Sequence, residues 1–280
     1  KEGTQKSVEA KLFVLAAQAV ESSRLLLNSK NKEFPDGLAN SSGAVGKNML
    51  FTGGGMGSGE FDLSHFSQET LLQSGLFVNR ALKDWYFTKE FKGGVVDFLF
   101  EHPNPIRRAN SLKREDGKLL FGKALQDKIF QTFTTTRTLS FEVFTDWMPN
   151  DNCFVSVDEN YQDKYGIPVA NIRIGAHPQD VKVGEFLAQK ALKVLEKMEA
   201  KNITYDISPL PSQNLQAGGC RFGDDPKKHV LNRYCQSYDH PNLFVTDGSF
   251  MPTGGSVPYT WTIYANAFRV AHYIRDNIRI

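Results

Sequence analysis

Asn242-Leu243-Phe244-Val245-Thr246-Asp247-Gly248-Ser249 runs through Phe250-Met251-Pro252-Thr253-Gly254-Gly255-Ser256-Val257-Pro258 into Tyr259-Thr260-Trp261-Thr262-Ile263. The apolar run at 242–246 suits a strand buried on both faces. Asp247-Gly248-Ser249 supplies the turn. A helix is predicted from Tyr259 or Thr260 to about Asp276, with Pro258 just before or at its first turn, where a fixed φ fits best. Such a helix start presents unpaired N–H groups and a positive dipole end. The small residues of Thr253-Gly254-Gly255-Ser256 let a ligand approach the backbone. The segment reads either as a ligand site or as a plain strand-to-helix connection with a flexible loop.

Working outward, Lys11 to Ala17 is a second short apolar run of the kind that parallel sheets cover on both faces. Helical character from Glu21 to Asn28 follows it, which makes a strand–turn–helix unit. The run Gly53-Gly54-Gly55-Met56-Gly57-Ser58-Gly59 is expected to be a mobile loop or hinge. The alternative is a phosphate loop, against which stand the lack of a Lys-Ser/Thr after the last glycine and of a clear amphipathic helix opening at Glu60-Phe61-Asp62. Thr138 to Trp147 alternates, with Leu139, Phe141 and Val143 on one side and Ser140 and Glu142 on the other. Cys153–Asp158 and Val169–Ile174 are further short strands, as in an antiparallel sheet with one wet face. Asp180 is expected to cap a helix reaching about Ala200. The fold class is therefore α/β plus α+β. Residues 1–60 and 215–280 are expected to form part of a Rossmann-like domain, with 61–214 as an inserted antiparallel sheet with helices.

Composition narrows the function. The 280 residues carry a net charge of +2, 40% hydrophobic and 23% charged residues, the profile of a folded globular chain. Scattered basic residues leave no electrostatic footprint for nucleic acid, and no run is long enough for a transmembrane helix. Cys153, Cys220 and Cys235 are too few for a disulfide framework, and their spacing suggests no structural zinc. Asp224-Asp225 before Pro226 reads as a turn rather than a metal pair. The start at Lys1, in a polar segment, is expected to lie inside a longer protein, and the compartment stays open between periplasm and cytoplasm.

Asn242–Ala271 resembles the C-terminal signature of the glucose–methanol–choline oxidoreductases, in its Asn-Leu-(aromatic)-Val-x-Asp-Gly-Ser, its Pro252-Thr253 and its Thr260-Trp261-Thr262. Three other blocks are similar to the family in the same order. They are Ala16–Leu27, Gly37–Gly43 with Val45–Asn48, and Gly218-Gly219-Cys220-Arg221-Phe222-Gly223-Asp224-Asp225-Pro226. Asp163–Val169 points to the gluconate- and sugar-dehydrogenase branch. The resemblance implies FAD as cofactor and an alcohol or sugar as substrate, whose CH–OH hydride passes to flavin N5. It also implies that Asp247 and Gly248 lie along the ribityl-pyrophosphate and that the amides of Tyr259 and Thr260 meet the pyrimidine edge of the isoalloxazine. The family's N-terminal Gly-x-Gly-x-x-Gly turn is not in this sequence. An N-terminal FAD-binding half, as a separate chain or fragment, is thus an expected partner, with room for an electron-transfer partner as well.

The resemblance departs where the chemistry sits. The family's catalytic His aligns with Leu215, and its second His or Asn aligns with Pro258. Neither side chain accepts a proton or a hydrogen bond. Asn214, Gln213 and Tyr259 are neighbouring polar substitutes. His65, His102, His177, His229, His240 and His272 read as surface or capping residues before they read as bases. Trp85, Tyr86, Trp147 and Trp261 could line a sugar site, though core packing is their default. Two functions remain in view: an FAD-dependent alcohol or sugar dehydrogenase with an altered base, and a degenerate, non-catalytic subunit that holds flavin or sugar.

Overall fold

The computed structural model describes residues 6–67, 78–100 and 104–278. In chain order the N-terminal elements are β1 (Phe13–Leu15), α1 (Ala19–Asn28), β2 (Leu50–Thr52), β3 (Gly54–Asp62), β4 (Val78–Leu82) and β5 (Gly94–Leu99). Then come α2 (Pro105–Ser111), β6 (Arg114–Glu115), β7 (Lys118–Leu119), α3 (Gly122–Thr134), β8 (Thr136–Thr145), β9 (Phe154–Gln162) and β10 (Pro168–Arg173). The last are α4 (Pro178–Lys197), β11 (Lys201–Ile207), β12 (Ser212–Ala217), β13 (Leu243–Val245) and α5 (Thr260–Asn277). His102 lies outside the described residues.

The chain forms two compact units. One comprises Lys1–Gly53, Asp146–Asp180 and Pro209–Ile280; the other comprises Gly54–Thr145 and Val181–Ser208. Where the sequence reading runs one insert from 61 to 214, the chain returns between 146 and 180 to the unit built from its ends. The reason is local: the β9–β10 hairpin is held to α1, where Arg24 Nε donates to Pro168 O at 2.7 Å and Arg24 pairs with Asp163 at 2.8 Å.

In the first unit β1 runs parallel to β13, with Phe13 opposite Leu243 and Leu15 opposite Val245. Antiparallel β12 and β2 lie in the same unit. Met49, Leu50, Phe51, Trp147, Leu231, Phe244, Val245 and Val270 fill its core. The expectation of a strand covered on both faces holds for β13, whose residues are all buried. It fails for β1, where Phe13 and Val14 are exposed. Successive strand residues point to opposite faces, so β1 is open on both. Among the described residues its outer edge has no paired strand.

The second unit is a five-stranded antiparallel sheet ordered β11-β3-β8-β5-β4. Helix α4 buries Val183, Leu187, Ala188, Ala191 and Leu195 against Phe61, Val96, Phe98, Phe141 and Val143. The glycine run expected to be a hinge is instead β3, bonded to strands on both sides. Its glycines answer to neighbours, since a Cβ at Gly57 would enter the Phe141 ring and one at Gly59 would come within 2.7 Å of Ala200 Cβ. On the same sheet Asp97 and Glu142 stand directly opposite one another. Burial pushes both carboxyls upward, Glu142 also through the charge of Asp97, and Asp97 Oδ1 is buried without a hydrogen-bond partner.

Candidate functional site

The strand-to-helix segment is organised by one carboxylate. Asp247 caps the 3-10 turn Gly248–Phe250 through Ser249 N at 2.8 Å. Its other oxygen accepts from Gln18 N at 3.1 Å and from the Ser22 hydroxyl. The Gln18 side chain accepts from Gly248 N at 3.1 Å and from Ala19 N at 3.0 Å, with Gln18 itself at φ +72°. Asp247 is buried, so its acceptors are engaged inside the chain, as is the Gly248 N–H. Both residues act as a clasp between β13 and α1. No sequence signal marked Gln18 or Ser22 beyond their place in the Ala16–Leu27 block.

The turn is held from its other side as well. Gly218, Cys220 and Phe222 donate their N–H groups to Gly248, Ser249 and Phe250 carbonyls at 3.1, 3.0 and 3.1 Å. This brings the residues just after Leu215 alongside Asp247-Gly248. Leu215 has φ +50°, and its half-buried side chain packs against the core of the first unit. A left-handed backbone is uncommon for Leu, whereas His is among the residues enriched there. Asn214 is exposed, and its carbonyl accepts from Thr52 Oγ1 at 3.2 Å.

After Met251 the loop leads to α5. Gly254 N donates to Trp147 O at 3.0 Å and Gly255 N to Asp146 Oδ1 at 2.6 Å. Pro258 and Thr260 are exposed. Tyr259 is the N-cap, and no side chain caps the first turn. The Tyr259 hydroxyl is buried without a hydrogen-bond partner, and burial pushes its pKa well above the ordinary phenol value. Helix α5 touches the clasp through Ile263, which sits where a Cβ on Gly248 would come within 3.1 Å. The structure thus gathers Asp247, Gly248 and the strand carrying Leu215 at one turn, with the start of α5 beyond it.

The other candidates disperse. Trp147 is core and Trp261 is 83% exposed. His177 Nδ1 lies 3.7 Å from Asp180, His229 bonds the Asp225 carbonyl at 3.0 Å, and His240 packs edge-on against Phe34. Asp225 accepts from Lys227 N at 3.0 Å in the expected turn. The three cysteines are buried and free, and burial pushes the Cys220 thiol up to about 12, which leaves it unreactive. Asp180 sits inside the first turn of α4 instead of capping it, and its carboxylate accepts from Met148 N at 3.0 Å. Among the described residues no cluster of ligating side chains could hold a metal ion, and no helix is long and apolar enough to cross a membrane.

The first unit thus sets an open helix start beside a strand turn, and the chain joins it in sequence to an antiparallel sheet backed by a helix. Residues 149–267 match the GMC oxidoreductase family. The chain is 30% identical to the 2-methyl-1,2-propanediol dehydrogenase of Mycolicibacterium austroafricanum, over 97% of its own length and 49% of that protein. It is 25% identical to the fructose dehydrogenase large subunit of Gluconobacter japonicus, over 97% and 48% respectively. The fold superposes on the formate oxidase of Aspergillus oryzae with a TM-score of 0.59 at 14% identity, covering 95% of this chain and 54% of that one. Residues 149–267 thus carry the C-terminal domain of the glucose–methanol–choline oxidoreductases, a family of FAD-dependent flavoproteins, and the chain as a whole is similar to dehydrogenases of that type. It spans about half the length of the curated relatives it matches.

Proposed function

We propose that this chain is the C-terminal portion of an FAD-dependent oxidoreductase acting on the CH–OH group of an alcohol or sugar. The observation that carries the reading is the start of α5. Its first-turn N–H groups have no side-chain cap, its flanking Pro258 and Thr260 are exposed, and the neighbouring Tyr259 hydroxyl is buried and unpartnered. Unsatisfied donors at a positive dipole end fit an electron-rich, hydrogen-bond-accepting ring edge. In this assignment the amides of Tyr259 and Thr260 hold the pyrimidine edge of the isoalloxazine, and the Asp247–Gln18–Ser22 clasp fixes the turn before it. When bound, the flavin supplies the hydride acceptor at N5. The substrate's hydroxyl proton has no acceptor at Leu215 or Pro258, and the exposed Asn214 amide can orient a hydroxyl but not take its proton.

The leading reading includes an N-terminal FAD-binding half, in the same polypeptide or as a partner chain. Two features support it besides the length of the relatives. Helix α5 buries Asn266 and Val270 and half-buries Ile263, Tyr273 and Ile274 on one side, yet Trp261, Tyr264 and Phe268 form an exposed stripe on the other. A helix apolar on both sides is a helix meant to be covered twice, and among the described residues β1 keeps an unpaired edge. A second reading, a non-catalytic subunit, is favoured by Leu215, whose side chain belongs to the core contacts. Visible absorbance and intact mass of the protein from its source test the first reading. Flavin bands with a mass near that of the full-length relatives support it, and a flavin-free protein refutes it. Leu215→His with Pro258→Asn is expected to create or raise alcohol-oxidising activity, read as flavin bleaching under substrate, and the left-handed backbone at 215 tolerates His. An unchanged rate would refute the assignment of these positions to proton handling.

A further inference from the structure

The loop that delivers α5 is anchored by a residue that the sequence did not single out. Gly255 and Ser256 are successive left-handed residues, at φ +85° and +61°. Glycine adopts this conformation freely, but serine does so at some cost. Ser256 is nonetheless buried to within 1% of its surface. A strained non-glycine backbone persists only where its surroundings hold it. Asp146, 6% exposed, accepts from Gly255 N at 2.6 Å, a short bond of the carboxylate-assisted kind. Next along the chain, Trp147 O accepts from Gly254 N at 3.0 Å. Met148 N in turn donates to the buried Asp180, which lies 3.7 Å from His177 Nδ1. The tripeptide Asp146-Trp147-Met148 is therefore gripped at one end by Asp180 and grips the loop at the other.

We infer that Asp146 is a positioning residue for the cofactor-facing end of α5: its carboxylate holds Gly255 and Ser256 in their left-handed conformations and so sets where Pro258, Tyr259 and Thr260 stand. The inference rests on the proposed assignment of that helix start to the flavin. The negative charge does not point at the ligand, because its bond is spent on the loop. It acts through backbone geometry, four to five residues before the amides that would meet the ring.

Asp146→Ala, Asp146→Asn and Asp146→Ala with Ser256→Gly, made in the flavin-containing protein, test it by two readouts. The first is hydrogen exchange of the Gly254–Ser256 amides. The second is the flavin dissociation constant together with its reduction potential. Loss of a charge-assisted bond is expected to speed Gly255 exchange on the order of tenfold in Asp146→Ala and to weaken flavin binding in parallel. Asp146→Asn keeps an acceptor oxygen, so it is expected to recover most of both. Ser256→Gly is expected to restore part of the loss by removing the strain. Should Asp146→Ala not fold, Asp146→Asn against wild type still decides, through an intermediate change of about threefold in both readouts. Unchanged Gly255 exchange overturns the inference and leaves the flavin assignment standing. Faster exchange with unaltered flavin affinity and potential overturns it too, by reducing Asp146 to a loop anchor. A wild-type protein that holds no flavin fails the proposed function itself, and the positioning role falls with it.

Discussion

Removing the clasp carboxylate by Asp247→Ala should cost about 3–4 kcal/mol of folding stability in flavin-free protein. Three donors meet that carboxylate: Gln18 N at 3.1 Å, Ser249 N at 2.8 Å and the Ser22 hydroxyl. A buried donor left without a partner costs about 1–3 kcal/mol. The sum is reduced because the variant no longer buries a carboxylate, and because the donors share one network and do not add. Ser22 Oγ also accepts from Ala17 N at 3.2 Å, which keeps its oxygen engaged but offers its O–H no new acceptor. Asp247→Asn keeps the oxygen facing Ser249 but sets an amide N–H against the Gln18 N–H, and about half the loss is expected. Urea unfolding followed by tryptophan fluorescence reads the effect, since Trp147 is buried in the same unit. A cycle with Ser22→Ala should show coupling of about 1 kcal/mol. A loss below about 1 kcal/mol in flavin-free protein would refute the clasp. So would a loss seen only with flavin bound, which would return Asp247 to direct cofactor contact.

Other outcomes follow from the same geometry. Gly57→Val, which drives side-chain atoms into the Phe141 ring, should destabilise the sheet unit by about 2–4 kcal/mol in thermal or urea melts. Glu142→Gln removes a like charge directly across from Asp97 and should raise stability by about 0.5–1 kcal/mol at neutral pH, with no gain at acid pH where both carboxyls are protonated. Asp180 is raised to about 7 by its burial, with Asp146 adding to the shift. A proton held tighter in the fold than in the unfolded chain stabilises the fold at low pH. That contribution is complete below about pH 4 and is lost as pH rises through about 7. Asp180→Asn should flatten this decline, measured as unfolding free energy against pH, while His177, Asp146 and Cys153 remain around it.

What was legible in the sequence depended on whether the cause was local. The strand at 243–245 and the helix from Thr260 follow from an apolar run, a turn and a proline, all within reach of one another. The glycine run reads as a hinge because the cause of its glycines is across the sheet: Gly57 and Gly59 are small where Phe141 and Ala200 stand, and neither neighbour can be seen from the run itself. The Asp247 motif was visible as a turn, but its bonding to Gln18 and Ser22 spans 229 and 225 residues. Asp146 carried no signal except its place at the end of an alternating strand. Asp97 did carry one, a charge inside the apolar run Val95-Val96-Asp97-Phe98-Leu99, and register alone reveals its opposition to Glu142.

The pairing of Phe13–Leu15 with Leu243–Val245 ties synthesis to assembly. The first strand leaves the ribosome long before its only partner among the described residues, while the whole antiparallel unit is translated in between. Closing so distant a pair is slow. The nascent chain must keep an apolar, unpaired ribbon from self-association until Leu243–Val245 emerges. Any truncation that stops short of Val245 strands that ribbon for good, so C-terminal deletions should yield insoluble protein even when they spare every residue of the antiparallel sheet.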